Sequence, residues 1–187
     1  MLETAHDKIN EGTNVIIGWL ETHGRIETEK LTEGITCIKP MLIRYREKEL
    51  QEMDIDAILK TKPELVLVDE LAHTNIPGSR HVRRFQDVEE LLNAGIDVYT
   101  TLNIQHIESL NDVVSKITGV IVHETVPDYI VENANNIRLI DIPPEDLIKR
   151  FQEGKVYVNG QAEQALRSFF RVGNINALRE LTLRFTA

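Results

Sequence analysis

Asp69 and Glu70 close a run of four apolar residues, Leu65-Val66-Leu67-Val68, and lead into Leu71-Ala72-His73-Thr74-Asn75. A strand with no polar alternation has to be covered on both faces, as in a parallel α/β sheet, and such sheets take ligands at the carboxyl ends of their strands. Two acids in that place match the Walker B pattern, in which the first carboxylate holds Mg²⁺ and the next polarises a water. Asp69 is therefore a candidate Mg²⁺ ligand acting through a nucleotide, and Glu70 the candidate catalytic group of an ATPase. The same run also reads as a buried strand whose acids cap the following helix. The pattern alone leaves both readings open.

Two further polar loops follow apolar runs. Glu21-Thr22-His23-Gly24-Arg25 comes after residues 15–20, and Thr100-Thr101, with Asn103, Gln105 and His106, comes at the end of residues 96–102. Parallel strands would bring all three loops to one edge of the sheet, where hydroxyls, amides, acids and bases together suit a phosphate or nucleotide. Asp69, Glu70, His73, Thr100 and Asn103 are the expected nucleotide and Mg²⁺ contacts. Glu21, His23, Arg25, Arg80, Arg83 and Arg84 are the expected contacts to phosphate or to a partner, a solvated loop being the competing reading for the arginines. His73 and His106 read as loop hydrogen-bonders, since a structural zinc site usually clusters Cys and His and this chain has one cysteine.

The elements that must position these groups alternate. Leu2, Ala5 and Ile9 share a helical face ending at Gly12, and residues 15–20 form a buried strand. A short helix over 28–31, a strand over 35–38 and a hairpin around Glu47-Lys48 follow. Asp54 caps a helix carrying Ile55, Ile58 and Leu59, and Pro63 marks the entry to the strand at 65–68. Phe85, Val88, Leu91 and Leu92 line a helix closed by Gly95, giving a βαβ unit whose strands, 65–69 and 97–102, should be parallel. Ile104, Ile107, Leu110, Val114 and Ile117 predict one further helix ending at Gly119. Residues 120–122 and 137–142 read as strands with a short helix near Tyr129 between them, and from Pro143-Pro144 the chain reads as three helical pieces broken at 154–160 and at Gly173-Asn174. The expected division is an α/β core over 1–142 with a helical extension of the same domain over 143–187.

Composition narrows the class. Thirty acids against 21 bases give a net charge of -9, which argues against nucleic acid as the main partner, and 42% apolar residues exclude disorder. Residues 147–187 reverse the balance with seven Lys/Arg and three Asp/Glu, as a docking surface or a solvated helix would. The lone Cys37 excludes a disulfide framework, fits a reducing cytoplasm and is expected as a core thiol in a strand. No apolar run approaches the ~20 residues of a membrane helix. The phosphate-cradling run G-x-x-x-x-G-K-[ST] does not occur in the 187 residues, and the chain opens on a helix, so the start reads as truncated.

Trp19-Leu20-Glu21-Thr22-His23-Gly24-Arg25, Val68 to Asn75, Pro77-Gly78-Ser79-Arg80-His81, Gln86 to Leu92, Thr100 to His106 and Gly154-Lys155-Val156-Tyr157-Val158 together resemble the N-terminal cytoplasmic domain of the KdpD family, the potassium-responsive, osmosensitive sensor histidine kinases. The resemblance runs over nearly the whole chain. It implies a P-loop-NTPase-like, three-layer α/β fold with helices on both faces of a parallel sheet, lacking here the first strand and the Walker A loop, and with a helical C-terminal end. It also implies ATP with Mg²⁺ as the ligand of the complete family domain, whereas the chain itself is expected to bind none. Implied partners are the remaining parts of the sensor, namely universal-stress-like, membrane and transmitter domains, and indirectly a response regulator. No histidine here would be the phosphorylated one, and the location implied is cytoplasmic, at the inner face of the membrane, without insertion. The function implied is a regulatory input domain that modulates kinase and phosphatase activity. A free-standing Mg-dependent ATPase using Asp69 and Glu70 is the alternative.

Overall fold

A computed structural model describes residues 1–152 and 169–186. It divides into two compact units, Met1–Leu102 and Asn103–Ala187. That division falls inside the stretch read from the sequence as one core of residues 1–142.

The first unit is built on four parallel strands, β1 (Val15–Trp19), β2 (Thr36–Cys37), β5 (Leu65–Val68) and β6 (Asp97–Thr100), in the order β2-β1-β5-β6. Strands β1, β5 and β6 are thus neighbours and parallel, as their uninterrupted apolar runs required. Helix α1 (Leu2–Asn10) covers one face, where Leu2 and Ala5 pack with Val15, Ile17, Ile35, Leu65 and Leu67. Helix α3 (Ile55–Thr61) covers the other, and α4 (Arg84–Asn93) packs beside it and against β6. This is the three-layer α/β arrangement, and β5 at its centre is buried along its whole length. The Asp54 carboxylate accepts a 2.9 Å hydrogen bond from the Ala57 amide and so caps α3. The short helix α2 spans Ile26–Lys30.

One irregularity decides where a large side chain goes. Ile17 pairs with Leu67, but the next pairing joins Trp19 to Val68, so Gly18 is an extra residue in β1. Alternation would otherwise put Trp19 on the α1 face with Ile17; the bulge turns it to the opposite side, with Val68. Gly18 itself lies against α3, and a Cβ built there would stand 2.7 Å from Ile58 Cδ1 and 2.8 Å from Val66 Cγ2.

The antiparallel hairpin of β3 (Met41–Tyr45) and β4 (Lys48–Glu52) forms a separate two-stranded sheet. Its turn is Arg46-Glu47, one residue before the expected position, because Tyr45 pairs with Lys48. Both turn residues have positive φ, 47° and 66°, matching the right-handed twist of the strands at some conformational cost. Cys37, expected in the core, is exposed instead, since β2 is a two-residue edge strand and Ile35 takes the buried position beside it.

The second unit departs further from the sequence reading. The helix expected over 104–117 is three pieces: 3₁₀ turns at Ile104–His106 and Glu108–Leu110, then α5 (Asn111–Thr118), which ends at a left-handed Gly119. The break is at Ile107, which is extended and bridges Val126, while the Glu108 amide donates to the Val126 carbonyl at 3.0 Å. The strands expected over 120–122 and 137–142 do not form. The Asn111 amide group and the Thr118 hydroxyl serve the backbone of 120–122 in place of a partner strand, and Ile137, Leu139 and Ile140 stay exposed. The short helix at Tyr129 is α6 (Asp128–Glu132). The C-terminal end holds α7 (Pro144–Gln152) and α8 (Val172–Phe185). The break expected at Gly173-Asn174 falls slightly earlier, at Phe170-Arg171, where Arg171 is extended, and the two residues sit in the first turn of α8, where amides lack intrahelical partners. The other expected break, at 154–160, lies outside the described residues. Val114, Ile175 and Leu178 form the core of this unit, and Arg179 grips Asp141 through two nitrogens.

Gly18→Ala must therefore displace a β-branched side chain and the tip of a buried isoleucine. We expect a loss of about 1–3 kcal/mol in urea unfolding. Unchanged stability would mean that the bulge opens freely.

Candidate functional site

The carboxyl ends of β1, β5 and β6 converge in the first unit. The Asp69 amide donates to the Trp19 carbonyl at 3.0 Å, continuing the β1–β5 ladder by one residue. Asp69 Oδ1 accepts from the Glu70 amide at 3.0 Å and from the Thr101 hydroxyl, and Oδ2 accepts from the Glu21 amide at 3.3 Å. One carboxylate thus ties together the three loops that follow the strands. Thr101 makes this contact, whereas Thr100 is exposed at the end of β6, as strand alternation requires of adjacent residues.

The backbone turns sharply at this edge. Glu70 and His23 both have positive φ, 56° and 51°, conformations that cost a non-glycine residue about 1–3 kcal/mol and that gather at functional sites. The Glu70 amide is held by the Thr101 hydroxyl at 3.1 Å as well as by Asp69. His23 stands 3.6 Å from Glu21 and 3.9 Å from Glu70.

Beneath the edge lies a buried polar network. Arg84, the first residue of α4, is 0% exposed. Its Nη2 donates to Glu52 Oε1 at 2.6 Å and its Nη1 to the Asp69 carbonyl at 3.2 Å, with Glu70 at 3.7 Å and the guanidinium 4.7 Å above the Trp19 ring. Glu52, also buried, accepts from the Met53 and Ile76 amides, each at 3.1 Å, and pairs with His73 at 3.0 Å. Burial alone would raise the Glu52 carboxyl, but the hydrogen bonds from His73 and Arg84 and their charges win and hold it at about 2, against an ordinary 4.5. Asp87 goes the other way: burial pushes it up, and the bonds from His81 and Asn75 offset this only in part.

The remaining expected contacts are placed as follows. Arg80 bridges Asp56 and Glu90, Arg83 reaches the Thr74 hydroxyl, and Arg25 donates to the Thr22 carbonyl at 3.0 Å. Arg84 is inside rather than offered to a phosphate or partner. Asn103 opens the second unit as the residue before its first 3₁₀ turn. His106 Nδ1 donates to the Glu124 carbonyl at 2.7 Å, the loop role expected of it. Among the described residues, no group of three or more His, Cys, Asp or Glu side chains is arranged to hold a metal, and no helix is long and apolar enough to cross a membrane.

The model of the family described as "KdpD: Osmosensitive K+ channel His kinase sensor domain" matches residues 1–187. The chain belongs to this KdpD sensor-domain family. Among the relatives of this KdpD domain are the Sensor protein KdpD of Escherichia coli, 53% identical, and that of Clostridium acetobutylicum, 50% identical, each over the whole chain and 21% of its own length. The Sensor protein KdpD of Mycobacterium tuberculosis is 49% identical over the whole chain and 22% of its length. The KdpD domain thus spans about a fifth of these relatives.

Sequence reasoning found the acids of the KdpD edge but missed Glu52 and Trp19. Glu52 ends an exposed hairpin with alternating polar residues, so nothing local marks its burial; the signal would have been a matching cation, Arg84, assigned to the surface. Whether Asp69 and Glu70 fit Mg-nucleotide can be tested on the donors around them. Asp69 keeps one lone pair, on Oδ2, beyond those accepting from Thr101, Glu70 and Glu21, so a cation has an acid to meet. The phosphates have no glycine-rich amide cradle among these 187 residues, and the most buried cation is already committed to Glu52. The residues present do not make a complete nucleotide site, and no chemical step follows through one.

The depressed Glu52 carboxyl stabilises the fold in full above 4.5, and this contribution is lost as pH falls toward about 2. Glu52→Gln should lower stability at neutral pH by about 3–5 kcal/mol, because Arg84 is left buried and unpaired. Urea unfolding followed from neutral pH into that acid window checks it: the variant should lose the part of the acid slope that Glu52 supplies, and an identical slope would contradict the assignment.

Proposed function

We propose that this chain is the regulatory input domain of a potassium-responsive two-component sensor histidine kinase, acting on the kinase and phosphatase balance of the protein that carries it. The observation that supports this most directly is the match of the sensor-domain family over residues 1–187, together with relatives named sensor proteins of which the chain is about a fifth. An input module of such a sensor works on the cytoplasmic side of the membrane and exerts its effect through the other domains and, beyond them, a response regulator.

The carboxyl edge is where this domain would take its ligand. Asp69 supplies an acid for Mg²⁺ at the end of the central strand, and the strained turns at His23 and Glu70 fix the loops around it. Mg-ATP is the ligand we assign to the complete site, with the phosphate cradle contributed from outside these residues. The chain by itself then binds Mg-ATP weakly or not at all, because Asp69 holds a cation only where phosphate oxygens complete its shell.

Titration calorimetry of the 187-residue chain with Mg-ATP should give no micromolar binding; micromolar, magnesium-dependent binding would favour an ATPase that uses Asp69 and Glu70. In the complete protein carrying this domain, Asp69→Asn should lower Mg-ATP affinity with little change in melting temperature. Asparagine keeps the size and the acceptor for Thr101 and Glu70 but loses the charge a cation needs. Equal affinities in wild type and variant would remove Asp69 from the site.

A further inference from the structure

The carboxyl edge and the β3–β4 hairpin belong to different sheets, yet they hold the same cation. Arg84 reaches Glu52 at the end of β4 with one nitrogen, and with another it reaches the Asp69 carbonyl and faces Glu70. These two carboxylates differ in freedom: the Glu52 side chain is 2% exposed and fixed by four contacts, whereas that of Glu70 is 43% exposed and stands 3.7 Å away. Inside a protein the attraction between charges is far stronger than in water, so a change at either anion is felt by the guanidinium and passed to the other. The guanidinium also keeps an unused donor. Its Nε has no hydrogen-bond partner although the residue is wholly buried, and the neighbouring Trp19 Nε1 is likewise buried and unbonded.

The hairpin is suited to carry such a change outward. It makes no pairing with the four-stranded sheet, and its strands expose Leu42, Arg44, Lys48 and Glu49. Its last residue, Glu52, is the point at which Arg84, His73 and the Ile76 amide fasten it to the core.

We infer that Arg84 couples the carboxyl edge to the β3–β4 hairpin: neutralising or drawing away Glu70 recentres the guanidinium on Glu52 and shifts the end of the hairpin, and a pull on the hairpin acts back on Glu70 with equal free energy. The reciprocity is a property of any coupling between two equilibria. This goes beyond the proposed nucleotide role and does not require it, since any cation or donor that engages Glu70 has the same effect. Arg84 is a positioning residue here and touches no ligand itself.

The test uses the 187-residue chain, with amide NMR spectra and the emission of its single tryptophan. Glu70→Gln removes an exposed anion and leaves the core intact. The amides of residues 48–53 and the Trp19 emission should both shift, although position 70 lies on another element. The same substitution in an Arg84→Lys background should leave the hairpin amides where Arg84→Lys alone puts them, because a single ammonium cannot hold both carboxylates. Hairpin amides unmoved by Glu70→Gln would overturn the coupling, and so would an equal movement in the lysine background. Should Arg84→Lys fail to fold, Glu70→Gln and Glu70→Ala in the native background decide: a shift at 48–53 in both supports the coupling, and its absence refutes it.

Discussion

The pairing of Arg84 with Glu52 is the interaction on which the first unit rests. Neither side chain has access to water, so each is tolerable only because the other is present. A buried pair of this kind adds little to net stability compared with a well-packed apolar pair, but removing one partner is severe. Its value lies in specifying geometry. The guanidinium can satisfy Glu52, the Asp69 carbonyl and the face of Trp19 only if β1, β4, β5 and α4 all arrive in their present positions.

That constraint explains why the polar edge is orderly. Asp69 accepts from three separate loops, and Glu70 and His23 are held in left-handed conformations that an unsupported loop would relax. Arg80, Arg83 and His81 stitch the segment that follows to α3, to Thr74 and to α4, so the loop after β5 is fastened along its length. The β3–β4 hairpin, a sheet of its own, is fastened to this edge through Glu52.

Most of the first unit was legible in the sequence, for a physical reason. Leu65 to Val68 admit no face for water, which dictates a parallel, doubly covered strand, and Asp54 and Gly95 end their helices by local chemistry. Asp69 and Glu70 could be placed at the edge on the same grounds. The site's interior could not, because Glu52 and Arg84 each look like surface residues until their partner is known, and pairing across 32 positions leaves no local trace. The second unit was read less well: the apolar residues at 120–122 and 137–142 suit strands, but strands need partners, and side chains of Asn111, Thr118 and Arg179 engage these segments instead.

The bulge at Gly18 gives β1 a property that composition does not capture. Because the extra residue sets Trp19 opposite Val68, on the Arg84 side, the strand's pairing register matters as much as its chemistry. If Gly18 paired regularly with Val68, alternation would send the indole to the α1 layer and strip the buried guanidinium of its aromatic floor, with every residue unchanged. A slip of one pairing here would thus undo the site without any change of sequence.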